Sequence, residues 1–269
     1  MSVKMSKIME IIENLAPTHI AEEWDNVGLL VGRRDADVSR VLVALDVLDA
    51  VIDEAIAQGA EAIITHHPPI FKPISRISDE SPLGRRLLRL IENKICLYTA
   101  HTNLDATDGG INDMLFDIFQ LQNKEYICET RPGVFLGRAG VLSEATTLLN
   151  FTESVKNTLG LSVVTYCGDG GAKVHKIGVI GGASAGADFF KGVLAAGCDT
   201  FVTGDVRFHA AQAAIDMGLS LVDATHYGGE VIFAESIAKY LQEKIGGVEI
   251  IVSKIDGQPF KTVSCGGGN

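Results

Sequence analysis

The chain has 269 residues, 46% of them hydrophobic, enough to bury the core of one large or two modest domains. Its net charge of -11 and the lack of a long Lys/Arg run argue against nucleic acid as a general partner. The five cysteines are scattered and form no C-x-x-C, no apolar run reaches ~18 residues, and Lys4, Lys7, Glu10 and Glu13 interrupt any leader-like core; the expectation is a cytoplasmic protein without a membrane span.

In chain order, Ile8, Ile11, Ile12 and Leu15 recur at helical spacing before Pro17, which predicts an amphipathic first helix. Trp24-Asp-Asn-Val-Gly28 reads as a turn and Leu29-Leu30-Val31 as a short strand. A second strand is expected in the apolar run Val41 to Leu45. Asp49 then caps a helix with Val51, Ile52, Ala55 and Ile56 on its apolar face, and Gly59 stops it. Ala62-Ile63-Ile64 is a third strand, which delivers His66-His67 and is broken by Pro68-Pro69. Strand, helix and strand in this order favour parallel pairing. Ile95 to Ala100 forms the next strand and leads into His101-Thr-Asn-Leu-Asp105; a helix follows from Ile111 to Phe119. Arg131-Pro-Gly133 and Gly137 mark a junction, so the expected domains are 1–130 plus 231–269, and 131–230.

The second half repeats this pattern. Ile177 to Ile180 is a strand, Asp188 precedes a helix with Phe189, Phe190, Val193 and Leu194, Gly197 ends it, and Cys198 to Thr203 is the next strand. When Ala57 to His67 is laid on Ala195 to Asp205, the glycine, the acid, the apolar pair and the threonine coincide. The strand Leu219 to Ala224 then leads into His226-Tyr-Gly-Gly-Glu230, as the earlier one leads into His101 and Asp105, with a register difference of one residue. The order and type of the elements indicate an internal duplication. A helix from Val231 to about Lys244 follows, as Ile111 to Phe119 follows in the first half; a late strand, Val248 to Val252, has no second-half partner and is expected to return to the first domain. The tail Gly266 to Asn269 is expected to fray.

Four segments carry chemistry: His66-His67, His101 with Asp105, Gly204-Asp205, and His226 with Glu230. A parallel sheet brings strand ends to one rim, where ligands gather in α/β folds. Imidazoles with one or two carboxylates suit Zn²⁺ first, with Mn²⁺ or Fe²⁺ as alternatives. Adjacent histidines in a strand point to opposite faces, which suits one histidine per ion, and the number of candidate ligands suits two ions, with Asp105 or Glu230 able to bridge them. Asp205 reads equally as a ligand, a base or a helix cap. Gly181-Gly-Ala-Ser-Ala-Gly186 fits either a phosphate cradle or a tight strand-to-helix turn. Ser75, Ser78 and Ser184 lack a nucleophile-elbow context, and His19, His175 and His209 read as ordinary surface or core residues. Lys72, Arg76 and Arg207 lie near these segments and read as solvated charges or as partners for substrate phosphates.

Trp24-Asp-Asn-Val-Gly28, His66-His-Pro-Pro-Ile-Phe71, His101-Thr-Asn-Leu-Asp105, Thr203-Gly-Asp205 and His226-Tyr-Gly-Gly-Glu230 together resemble the signature segments of the Nif-three-like family, the GTP cyclohydrolase I type 2 homologues. The resemblance runs through nearly the whole chain in order. It implies two similar, intertwined α/β domains with a metal site between them, two divalent ions per subunit, and a ring-shaped homohexamer. By position, it implies His66, His67, Asp105, His226 and Glu230 as ligands, and His101 as a catalytic group close to the ligands or transferring protons. The implied activity is a dinuclear-metal-dependent hydrolase that opens the purine ring of GTP or a related nucleotide. Metal-dependent phosphoester hydrolysis and a non-catalytic metal-binding or protein-interaction role are the alternatives.

Overall fold

The computed structural model describes residues 1–263; the glycine-rich tail expected to fray lies outside the described residues. The chain divides into two compact units, Met1–Ile111 with Val231–Ile255, and Asn112–Glu230 with the segment from Asp256 onward.

The first unit contains β1 (Val3–Lys4), α1 (Met5–Leu15), β2 (Gly28–Val31), β3 (Asp37–Val38), β4 (Arg40–Ala44), α2 (Asp49–Gln58), β5 (Ala62–Thr65), α3 (Pro82–Glu92), β6 (Cys96–Thr99) and α4 (Thr102–Ala106); α5 (Ile111–Ile118) begins at its boundary. Its sheet runs β13-β4-β5-β6-β2, where β13 (Glu249–Val252) is the last strand of the chain and follows α10 (Ile232–Lys244). β4, β5 and β6 pair in parallel, with Val41 beside Ala62 and Ile64 beside Tyr98. β13 joins β4 in parallel, the return expected of the late strand, and β2 closes the other edge antiparallel to β6. Parallel strands joined by helical crossovers are covered on both faces, so they are written as continuous apolar runs; every residue of β5 and β6 is buried. Leu42, Ile63 and Leu97 from the strands pack with Val51, Ile52 and Ala55 of α2 and Leu87 and Leu90 of α3. Gly59 ends α2 at φ 65°, a left-handed position that an L side chain resists.

The second unit contains β7 (Gln122–Arg131), β8 (Val134–Thr147), α6 (Leu148–Thr158), β9 (Thr165–Cys167), β10 (Lys173–Val179), α7 (Ala187–Ala195), β11 (Thr200–Thr203), α8 (Phe208–Asp216), β12 (Ser220–Asp223) and α9 (His226–Glu230). Its sheet runs β7-β8-β10-β11-β12-β9. β10, β11 and β12 are parallel, and β9 is antiparallel to β12. Each unit thus has three parallel strands in sequential order, and in each a strand from earlier in the chain pairs antiparallel with the third.

Three details differ from the sequence reading. The Arg131-Pro-Gly133 segment is the turn of the β7–β8 hairpin, with Gly133 at φ 78° and Arg131 paired to Val134. The division of the chain falls earlier, at Ile111–Asn112, because that hairpin belongs to the second sheet, and residues 256–263 group with the second unit rather than with the first as expected. Asp49 sits in the first turn of α2 rather than capping it, and Asp188 sits in the first turn of α7 rather than before it; Leu48 and Gly186 are the cap residues. There the carboxylates favour the positive helix end without a cap hydrogen bond.

The second unit also buries a charge. Arg138 on β8 is 0% exposed and pairs with Asp113, which Lys124 also meets at 2.9 Å. Arg138 Nη1 donates to the carbonyls of Phe135 and Gly137, and the guanidinium lies 4.7 Å from the Tyr126 ring centroid. Removing one partner of such a pair leaves an uncompensated buried charge. Asp113→Ala is therefore expected to lower the unfolding free energy by about 3 kcal/mol in urea denaturation, whereas alanine at the exposed Asp188 should change it by less than about 0.5 kcal/mol.

Candidate metal centre

The ends of β4, β5 and β6 define the first cluster. Ala44, Thr65 and Thr99 close the three strands, so Asp46, His66-His67 and His101 leave the sheet on one rim. The backbone N–H groups of His66 and His67 both donate to the carbonyl of Leu45, at 3.2 and 3.1 Å, which fixes the histidine pair at the strand tip. The ligand-capable atoms of His66, His67 and His101 all lie within 4.8 Å of one another.

Each imidazole in this cluster is oriented through Nδ1. His66, fully buried, donates from Nδ1 to the carbonyl of Ala100 at 2.9 Å. His67 Nδ1 meets Asp46 Oδ1 at 2.8 Å, and His101 Nδ1 meets Asp25 Oδ1 at 2.9 Å. An Nδ1–H donated to oxygen leaves Nε2 as the lone-pair nitrogen. His66 Nε2 lies 3.6 Å from Asp105 Oδ1, an ion-pair distance longer than a direct hydrogen bond. Asp105 reaches it from α4, which starts immediately after His101.

Asp25 holds His101 from the turn before β2. Burial opposes its charge, but the hydrogen bond and charge of His101 and hydrogen bonds from Thr102 outweigh that cost and hold the carboxyl down at about 2. Trp24 and Phe71 border the same cluster: their rings stack at 5.6 Å, and both stand edge-on to His101.

The second unit holds its own pair. His226 Nδ1 meets Asp205 Oδ2 at 2.9 Å, and His226 Nε2 lies 3.0 Å from Glu230 Oε2 one helical turn on. Glu230 is buried, while Asp205 is exposed. Asp205 and Thr225 adopt φ 54° and 62°, unusual for non-glycine residues, and Asp223 secures both loops. Its carboxylate accepts from the N–H of Val206 at 3.1 Å and of Thr225 at 2.9 Å. Burial raises its pKa, against those two hydrogen bonds. The Gly181-Gly182 turn packs against the same pair. A Cβ on Gly182 would lie 2.3 Å from Glu230 Oε1 and 3.7 Å from His226 Nε2. Close approach to these side chains therefore accounts for Gly182, in line with a tight strand-to-helix turn. Ser184 is buried, and its N–H donates to Thr203 Oγ1.

The sequence reading thus finds its first-unit residues gathered in one cluster and its second-unit residues in one pair. His19, His175 and His209 are exposed, as are Lys72, Arg76 and Arg207. Asp25, Asp46 and Asp223 were given no role there. The signal available was position: Asp46 and Asp223 stand at the ends of strands, and Asp25 follows Trp24 in the first signature segment.

Fold and side chains define a mixed α/β protein whose strand tips present histidines steered by carboxylates and carbonyls. The chain belongs to the Duf34/NIF3 (NGG1p interacting factor 3) family, whose model matches residues 3–259. It is 37% identical over 265 residues to the GTP cyclohydrolase 1 type 2 homolog of Clostridium perfringens, covering 97% of this chain and 100% of the relative. The homolog of Clostridium acetobutylicum is 35% identical over 268 residues, covering 97% and 99%. Among solved structures, the Bacillus cereus protein related to NIF3 superposes with a TM-score of 0.90 at 27% identity, covering 97% of this chain and 99% of that one. Reduced HcgD from Methanocaldococcus jannaschii does so at 0.82 and 31% identity, covering 95% and 99%.

The Asp25–His101 pair gives a pH signature. A carboxyl whose pKa is lowered on folding stabilises the fold above its unfolded value of 3.8, and that contribution is lost as pH falls toward about 2. Asp25→Asn is expected to cost roughly 2 kcal/mol near pH 5 and almost nothing near pH 2, measured by denaturant unfolding across that range.

Proposed function

We propose that this chain is a dinuclear-metal-dependent hydrolase that opens the purine ring of GTP or a related nucleotide, a reading in line with the name of its relatives, GTP cyclohydrolase 1 type 2 homologs. The observation that carries the reading is shared by four imidazoles: His66, His67, His101 and His226 each have Nδ1 held by a carbonyl or carboxylate oxygen. Metal-ligating histidines are held in this way, which sets the tautomer and raises the basicity of the other nitrogen. The donor set fits divalent ions of the Zn²⁺, Mn²⁺ or Fe²⁺ kind. His66, His67 and Asp105 of the first unit, with His226 and Glu230 of the second, would hold two of them. When bound, such a pair supplies Lewis-acid stabilisation of developing negative charge and lowers the pKa of water.

The remaining steps fall to this chain's own groups. Asp46, Asp205 and the Ala100 carbonyl keep their imidazoles aimed. His101, with Asp25 behind it, takes a proton on Nε2 and is stabilised as the cation by that carboxylate. Ring opening adds water across a C–N bond, and the departing ring nitrogen takes up the proton that His101 carries; a second water, added across the C–N bond of the resulting formamide, releases formate and leaves the amine. The three sequential parallel strands of each sheet, each set flanked by an antiparallel strand from earlier in the chain, support an origin by internal duplication. A homohexamer and a cytoplasmic location belong to the same proposal; no described helix is long and apolar enough to cross a membrane. The family's description as an interacting factor favours a second reading, a metal-holding protein that acts through a protein partner.

Elemental analysis of purified, metal-loaded protein should find about two divalent ions per chain, and the loaded protein should release formate from GTP. His67→Ala should lose both an ion and the formate. One ion or none in the intact protein would overturn the two-ion centre, whereas two ions without formate would favour the interaction reading. Asp46→Asn should weaken metal binding by about 10- to 100-fold while leaving the fold intact, measured by competition with a chelator.

A further inference from the structure

Trp24 is the only tryptophan of the chain and is 57% exposed; Phe71, in the loop after Pro68-Pro69, is 49% exposed. Two large rings this open are unusual for a pair that is also held in place. Their planes lie 27° apart at a centroid distance of 5.6 Å. Asn26 Nδ2 donates to the carbonyl of Ile70 at 2.7 Å, which ties the Trp24 turn to the Phe71 loop. Asp25, between Trp24 and Asn26, is anchored in turn by His101 and Thr102. The platform is therefore ordered without help from a ligand. It also has a fixed relation to the chemistry: the His101 ring stands edge-on to Trp24 at 6.1 Å and to Phe71 at 6.0 Å.

Exposed, preordered aromatic faces beside a proton-carrying group suit one kind of occupant. A flat π system can lay its whole face on such rings, and base–aromatic stacking contributes ~1–3 kcal/mol per base. We propose that Trp24 and Phe71 are specificity-determining residues, a stacking platform that selects a planar fused nitrogen heterocycle and holds it against His101. This rests on reading the histidine cluster as the reaction centre.

The single tryptophan makes the test direct. The metal-loaded full chain is titrated with guanosine, GTP, a pterin and ribose 5-phosphate while Trp24 fluorescence is followed. Guanosine, GTP or the pterin should quench it saturably, and ribose 5-phosphate should not. Phe71→Ala should weaken the heterocycle binding by about tenfold, with Phe71→Tyr restoring it and circular dichroism confirming that both variants fold. Absence of quenching by every heterocycle, equal binding to Phe71→Ala, or quenching by ribose 5-phosphate alone would overturn the platform. So would an emission that shifts to the blue with rising protein concentration and ignores all four compounds, because a second copy of the chain would then cover the rings. Saturable quenching by the heterocycles in a chain that takes up no divalent metal even after loading would sink the hydrolase reading and leave the stacking standing.

Discussion

Parallel backbone pairing of three consecutive strands is the constraint on which the rest of each unit depends. In β4, β5 and β6, and again in β10, β11 and β12, the ladder points every carboxyl end the same way. Parallel neighbours cannot be joined by a tight turn, so helices must intervene and cover the faces. Covered faces require apolar strands, so polar groups concentrate at the last paired residues and beyond them. Asp46, His66, His67 and His101 stand just there in the first unit, and Asp205 and His226 in the second. The clustering of polar chemistry at the strand tips thus follows from the burial of everything before it.

What turns a crowd of histidines into a directed set is the oxygen behind each one. A neutral imidazole offers one donor and one acceptor, and fixing the donor decides which nitrogen remains basic. The anchors are unequal. The Ala100 carbonyl that holds His66 is neutral, so it orients a fully buried ring without adding charge to a place where charge is costly. Asp46 and Asp25 hold rings closer to solvent and can stabilise a positive imidazole as well as aim it. Behind His101, Asp25 is held near a pKa of 2, so it stays a carboxylate across the neutral range and keeps that ring aimed.

The sheet strands around the site were legible because apolar runs ending in Gly, Pro or His are strong signals at strand length. The site residues were legible because histidine and carboxylate recur four residues apart after two such runs. The anchors were not. Asp25 and Asp46 look like ordinary turn acids, and only tertiary pairing across 76 and 21 residues of sequence gives them a role. The β7–β8 hairpin escaped for a different reason: its long strands are mostly exposed or half-buried, with Gln122 to Tyr126 all exposed, so they lack the continuous apolar signal. Its Pro-Gly turn then looks like a domain junction.

The two units orient their histidines by different physical means. In the first, burial and regular pairing do most of it: Thr65 and Thr99 face each other at 3.1 Å, and the histidine backbone continues the ladder. In the second, the loops leave the ladder in conformations that L residues resist, at Asp205 and Thr225, each costing of order 1 kcal/mol. Such strain persists only where other contacts over-determine it. Asp223 provides them by binding the N–H groups of Val206 and Thr225 at once, and Gly182 supplies the missing Cβ that lets the turn close over Glu230. The cost is spent on direction, since a relaxed loop at either position would release the Asp205–His226 hydrogen bond. Strain at a strand tip, matched by the half-buried carboxylate of Asp223, therefore serves the placement of His226 beside Asp205 and Glu230.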